Sequence, residues 1–187
     1  ELLVLDEPTN DLDILTLNVK KLEVKDALTG LYNEAFMRGR LQEEIKRAIA
    51  YQRPCAFIIV DVDYFKKYSQ AFGSLQTESV IKRIAALIKD STREIDRVGR
   101  IGDDEFAVIL PEKNKRQAQE LAEEIRKKVE FSYGEDADPA KKITISAGVS
   151  ENPVDGISSD ELITRAREFL DIAKRSGRNR VVIFKER

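Results

Sequence analysis

The chain contains no histidine and only one cysteine, Cys55, among its 187 residues. Without histidine, the usual general base near neutral pH, the usual catalytic triads and the commonest transition-metal ligand are all excluded. One cysteine rules out an intrachain disulfide and a thiolate zinc cluster, and fits a reducing, cytoplasmic setting. No apolar stretch reaches the ~18 residues a membrane span needs, and no signal-peptide pattern opens the chain, so direct membrane insertion is not expected. An excess of positive charge is also missing: 32 Lys+Arg stand against 34 Asp+Glu, a net charge of −2. That balance argues against nucleic acid as a partner. What remains for chemistry is carboxylates, lysine, arginine and a hard metal ion. With 42 % hydrophobic and 35 % charged residues the composition is globular, and the length suits one domain plus an appendage.

Periodicity divides the chain into alternating elements. Phe36, Met37, Leu41, Ile45, Ala48 and Ile49 recur at helical spacing behind Asn33, a residue suited to N-capping. Pro54 to Asp63 holds the continuous apolar run Ala56-Phe57-Ile58-Ile59-Val60, the pattern of a strand covered on both faces. A second helix is expected from Leu75, Val80, Ile81, Ile84, Leu87 and Ile88. A third, from Ala118, Leu121, Ala122, Ile125 and Val129, opens with Asn114 three residues before Gln117. A fourth, with Leu162, Ile163, Ala166, Phe169, Leu170 and Ala173, opens with the capping-box spacing of Ser158 and Glu161. Strands are expected at Arg97 to Ile101, Glu105 to Leu110, Ile143 to Val149 and Arg180 to Phe184, and a surface loop at Tyr133 to Lys142. The first two strands flank Gly102, Asp103 and Asp104, a hairpin with an acidic tip. The fold class is therefore α/β (α+β), with a central mixed five-stranded sheet flanked by helices.

Glu1 to Asn18, ELLVLDEPTNDLDILTLN, resembles the Walker B and D-loop stretch of ABC-type ATPases. A phosphate-cradling G-x-x-x-x-G-K-[ST] loop is absent from the chain, so this segment carries no ATPase assignment. Residues 1–25 are read as an N-terminal appendage, a fusion remnant or linker, and residues 26–187 as the domain.

Asp61 and Asp63 end a buried strand, while Asp104 and Glu105 sit at the hairpin tip. Such acids are either solvated turn residues or, if neighbouring strands bring them together, a site for Mg²⁺, which commonly shares itself between carboxylates and substrate phosphates. Lys174, Gly177 and Arg178 follow a helix and are suited to binding phosphate.

Four segments in order, Asp26-Ala27-Leu28-Thr29-Gly30-Leu31-Tyr32-Asn33, Asp61-Val62-Asp63-Tyr64-Phe65-Lys66, Arg100 to Phe106 and Ala173 to Asn179, resemble the GGDEF domain of diguanylate cyclases. The resemblance implies a nucleotidyl cyclase or polymerase-palm βααββαβ core and the condensation of two GTP into cyclic di-GMP by a homodimer, dependent on Mg²⁺ or Mn²⁺. It also implies an upstream sensory or regulatory domain outside this chain. By the same resemblance Asp61, the Val62 carbonyl and Asp104 hold metal, and Glu105 assists deprotonation of the ribose 3′-hydroxyl. The amides of Tyr64, Phe65 and Lys66 cradle phosphates, Lys174 and Arg178 bind them, and Ser69 and Glu78 stand at the guanine-reading positions.

Three positions depart from the family's pattern. Asp103 replaces the second glycine of the signature, where positive φ and a close nucleotide approach favour glycine, and Ser69 and Glu78 replace Asn and Asp. These departures predict impaired synthesis, at least about a hundredfold on the cost of a carboxylate beside phosphates. The alternative is a catalytically inactive module that senses GTP or cyclic di-GMP. Arg93-Glu94-Ile95-Asp96 matches the family's R-x-x-D inhibitory site for cyclic di-GMP; by itself the pattern also fits a surface ion pair.

Overall fold

A computed structural model describes residues 24–134 and 138–184. The ATPase-like segment, and nearly all of the expected appendage, lie outside these residues. The elements are α1 (Glu34–Tyr51), β1 (Cys55–Val62), α2 (Phe65–Ser91), β2 (Arg97–Arg100), β3 (Glu105–Pro111), α3 (Lys115–Gly134), a 3₁₀ turn (Pro139–Lys141), β4 (Ile145–Asn152), α4 (Ser159–Arg175) and β5 (Val181–Val182). The sheet has the order β2-β3-β1-β4-β5, antiparallel throughout except for the parallel pair β4 and β5. It is the mixed five-stranded sheet the periodicity implied.

Burial explains the apolar run of β1. Ala56, Ile58, Val60 and Val62 pack with Val80, Ile84 and Ile88 of α2 and Leu121, Ile125 and Val129 of α3. Phe57 and Ile59 point the other way, into Met37, Leu41 and Ile45 of α1 and Leu162, Ala166 and Leu170 of α4. Side chains alternate across a strand, so a strand at the centre of three layers must be apolar on both faces. At Gly148 of β4 a Cβ would stand 2.0 Å from the Ala166 carbonyl oxygen and 2.5 Å from the Leu170 nitrogen, so α4 rests backbone against backbone on the sheet.

The helix starts are capped as their residues imply. Asn33 accepts from the Phe36 N–H at 2.9 Å, Asn114 and Gln117 cap each other reciprocally, and Ser158 and Glu161 complete a capping box. Four expectations need correction. Leu75 lies in solvent at 78 % exposure, because α2 is bent at Gly73 (φ 77°, ψ 178°) and the bend resets the helical phase; Ile49, in the last turn of α1, is exposed too. The two helices of the βααββαβ order meet at that bend, one on each side of Gly73. Tyr133 and Gly134 belong to α3, extended by Tyr133 packing on the core under the Arg83 guanidinium, and Pro139–Lys141 is a 3₁₀ turn rather than open loop. The fourth strand runs Ile145–Asn152, and the last is confined to Val181–Val182, where β4 offers a parallel partner. Among the described residues, no helix is long and apolar enough to cross a membrane.

Candidate active site at the ends of β1 and the hairpin

Register creates the site. Asp61 of β1 pairs with Glu105 of β3, and the Val62 N–H donates to the Asp104 carbonyl at 3.0 Å, stitching the hairpin tip to the end of β1. The two carboxylates the sequence placed 43 residues apart (104 − 61) thereby border one cleft of about 290 Å³. Its other walls are Val62, Tyr64, Phe65, Lys66, Lys67, Lys174 and Arg178. Asp61, Val62, Asp104, Tyr64, Phe65, Lys66, Lys174 and Arg178 all border this one cleft.

The electrostatics suit a divalent cation. Burial pushes the Asp61 carboxyl up to about 6, opposed by the Lys174 ammonium 2.8 Å from its Oδ2 and reinforced by the charges of Asp104 and Glu105. Burial raises Asp104 as well, against Lys174 and a backbone hydrogen bond, with Glu105 and Asp103 adding to the effect. Among the described residues no group of three or more His, Cys, Asp or Glu side chains gathers as a metal cage. Two crowded carboxylates and a backbone carbonyl are instead the donor set Mg²⁺ accepts when phosphate oxygens and water complete its shell. The residues fit the metal.

Opposite the acids the cleft is cationic. Tyr64 caps α2 in the left-handed region (φ 57°) and no side chain caps the first turn, so the positive end of a helix, with its leading amides uncapped, borders the cleft. The Arg178 guanidinium stands 4.4 Å from the centre of the Tyr64 ring, with Nη1 3.4 Å from its hydroxyl. Lys67 also borders the cleft and was missed from the sequence, although the Lys66-Lys67 doublet at the helix start signalled it.

Other expected residues lie outside this cleft. The Glu105 carboxylate is held by Arg167 of α4, whose Nη1 donates to Oε1 at 2.9 Å and Oε2 at 3.0 Å; nothing in the local sequence links these two positions. Ser69, half-buried, and Glu78, exposed, sit on α2 either side of the Gly73 bend and do not border the cleft. Asp103 is exposed, is not among the residues of positive φ, and accepts at its carbonyl from Arg100 Nη2 at 2.8 Å. The expected need for a left-handed backbone there is therefore corrected: the hairpin turns without it.

Arg93 and Asp96 sit between α2 and β2. Asp96, 1 % exposed, receives Arg93 Nη2 at 2.7 Å and the Arg93 backbone N–H at 2.8 Å, and Arg93 also reaches the Pro111 carbonyl. Pro111 ends β3 opposite Glu105, so about 20 Å of strand separates this pair from the cleft. A larger groove of about 470 Å³ opens beside it, lined by Arg40, Arg47, Arg53, Arg97, Tyr51 and Ile95 among others.

Comparison with known proteins finds relatives over most of the chain. Residues 23–180 match the family model described as "Diguanylate cyclase, GGDEF domain". The response regulator PleD of Caulobacter vibrioides is 37 % identical over 164 residues, covering 87 % of this chain and 36 % of PleD. The probable diguanylate cyclase DgcT of Escherichia coli is 32 % identical over 166 residues, 88 % of this chain and 36 % of DgcT. The chain thus spans about a third of the length of these curated relatives. Among solved structures, the coiled coil and GGDEF domain of DgcB from Caulobacter crescentus, in complex with c-di-GMP, superposes with a TM-score of 0.86 at 25 % identity, over 93 % of this chain and 92 % of that one. SiaD of Pseudomonas aeruginosa, solved with its activator SiaC, superposes with a TM-score of 0.80 at 30 % identity, over 93 % of this chain and 66 % of that one.

Proposed function

The chain belongs to the diguanylate cyclase GGDEF-domain family, and from that premise we propose that it condenses two GTP molecules into cyclic di-GMP with release of two pyrophosphates. The observation that carries the reading is the single cleft in which Asp61 and Asp104 face Lys174, Arg178 and the uncapped start of α2. Asp61, the Val62 carbonyl and Asp104 would hold Mg²⁺ or Mn²⁺, which supplies charge neutralisation and alignment of the triphosphate. The amides of Tyr64, Phe65 and Lys66, with Lys174 and Arg178, grip the β and γ phosphates. Ser69 and Glu78 would meet the guanine only at the far end of the nucleotide, across the α2 bend.

One cleft per chain accommodates one nucleotide, so a homodimer presents two facing half-sites. The 3′-hydroxyl oxygen of each GTP forms a bond to the α-phosphorus of the other as the bond to pyrophosphate breaks. Glu105 accepts the hydroxyl proton, which requires its contact with Arg167 to open. Holding both reactants in line supplies most of the remaining acceleration. A sensory or regulatory domain controlling dimerisation, a cytoplasmic location, and product inhibition through Arg93 and Asp96 beside the arginine-lined groove complete the reading.

A second reading, an inactive sensor of GTP or cyclic di-GMP, is favoured by the Ser69 and Glu78 departures and by the remoteness of Arg93 and Asp96 from the cleft. Incubation with GTP and Mg²⁺ followed by chromatography separates the two. Cyclic di-GMP formed by the wild type and abolished in Asp61→Ala supports the enzyme; nucleotide binding without product supports the sensor.

A further inference from the structure

We propose that Asp63 and Asn179 are positioning residues that aim Arg178 at the nucleotide phosphates, an inference that rests on reading Arg178 as a phosphate ligand. Asp63 is 3 % exposed and does not border the cleft, so it is neither a solvated turn acid nor a metal ligand there. Its carboxylate accepts three hydrogen bonds: from the Ser146 hydroxyl at 2.7 Å, the Thr144 hydroxyl at 2.7 Å and the Asn179 backbone N–H at 3.0 Å. A buried carboxylate so fully paired is an anchor, and charge-assisted bonds are the strong ones.

What it anchors is unusual. Gly177, Arg178 and Asn179 follow one another at φ 110°, 61° and 46°. Residues with side chains adopt the left-handed region sparingly, and persist there where their surroundings over-determine them. Asn179 is pinned a second time, from α3: its Nδ2 donates to Glu130 Oε1 at 2.7 Å and its Oδ1 accepts from Arg126 Nη1 at 2.8 Å. The Asn179 hydrogen bond helps to hold the Glu130 carboxyl below its usual range, so the contact favours the charged form. Arg178 is thus held between the Ala173 carbonyl, which its N–H reaches at 3.0 Å, and an asparagine fixed to both the sheet and α3. In this backbone its guanidinium lies on the Tyr64 ring, over the cleft. An extended backbone at these residues would carry the side chain elsewhere.

The test is a double-mutant cycle on the full chain with Mg²⁺, using α,β-methylene GTP, which carries the triphosphate but cannot react, and GMP, which lacks the outer phosphates. Both are titrated by NMR chemical shifts. Asn179→Ala, which keeps the backbone N–H that Asp63 accepts, should weaken the triphosphate about tenfold and leave GMP within about twofold. In an Arg178→Ala background the same change should add less than about twofold. Asp63→Asn should follow the same pattern, and Asn179→Ala carries the test if that buried change prevents folding. A full additive loss in the Arg178→Ala background, or an equal loss for GMP, would reduce Asn179 to a structural role and overturn the inference. So would unchanged triphosphate affinity in Asn179→Ala. If Arg178→Ala itself bound the analogue normally, the phosphate reading would fall together with this inference; a loss there with none in Asn179→Ala would overturn this inference alone.

Discussion

Asp61 is expected to weaken the fold it serves. Its carboxyl is displaced from the ordinary 3.8 to about 6, chiefly by burial, even with Lys174 beside it. At about 1.4 kcal/mol for each tenfold in acid dissociation, ionising it in the folded chain opposes folding by about 3 kcal/mol. The sign follows from the direction. Below pH ~4 the group is neutral in both states and exacts nothing. As pH rises from ~4 to ~6 the unfolded chain ionises more readily than the folded one, and stability is lost until the folded group has also titrated. Asn is close in shape to the protonated acid and carries no charge, but leaves the Lys174 ammonium without its 2.8 Å partner. The displacement to about 6 already contains the attraction of Lys174, so Asp61→Asn should be more stable than wild type by about 3 kcal/mol above pH 6, or several degrees in melting temperature.

Thermal unfolding of both proteins in a chelator from pH 4 to 7.5 makes the measurement. The melting temperatures should coincide near pH 4, separate between pH 4 and 6, and keep a constant gap above. Asp104, raised in the same direction, titrates in both proteins and largely drops out of the difference. Adding Mg²⁺ and a non-reacting GTP analogue should raise the wild type and spare the variant. A gap that does not change with pH, or a variant less stable than wild type at pH 7.5, would refute the account of Asp61 as a buried charge waiting for a cation.

Gly148→Ala should lower stability by more than about 4 kcal/mol, because the new Cβ meets two backbone atoms of α4 that cannot swing aside, and chemical denaturation will read the loss. An Arg93→Ala, Asp96→Ala double variant should lose cyclic di-GMP binding in calorimetry while keeping GTP affinity, since the pair lies at the far end of β3; equal product binding by the two proteins would make the motif a surface ion pair only. Asp103→Gly should raise cyclic di-GMP synthesis by no more than about tenfold, well short of the hundredfold the sequence alone suggested, because the side chain is exposed and its charge is screened. Initial rates of product formation decide between the two magnitudes.

Local interactions were legible without coordinates. The caps at Asn33, Asn114 and Ser158 use side chains within three residues of the amides they satisfy, and the two-faced apolar run of β1 announces a central strand. The acidic hairpin tip was legible for the same reason, as a turn between two β-rich runs, and the resemblance named the acids and cations that line the cleft. What the chain could not announce were relations set by register and packing. Asp61 meets Asp104 because β1 and β3 are antiparallel neighbours in one register, and a shift of one residue would send every side chain to the opposite face. Lys174 reaches Asp61, and Arg167 reaches Glu105, because Gly148 lets α4 lie directly on the sheet. Asp63 looked like a second acid at a strand end and proved to be the buried anchor of a loop 116 residues away. Sequence determines the elements through interactions a few residues long; the site arises where elements distant in the chain are pressed together, and the pressing is done by a core whose contacts are non-directional and leave no local mark on the residues that will meet.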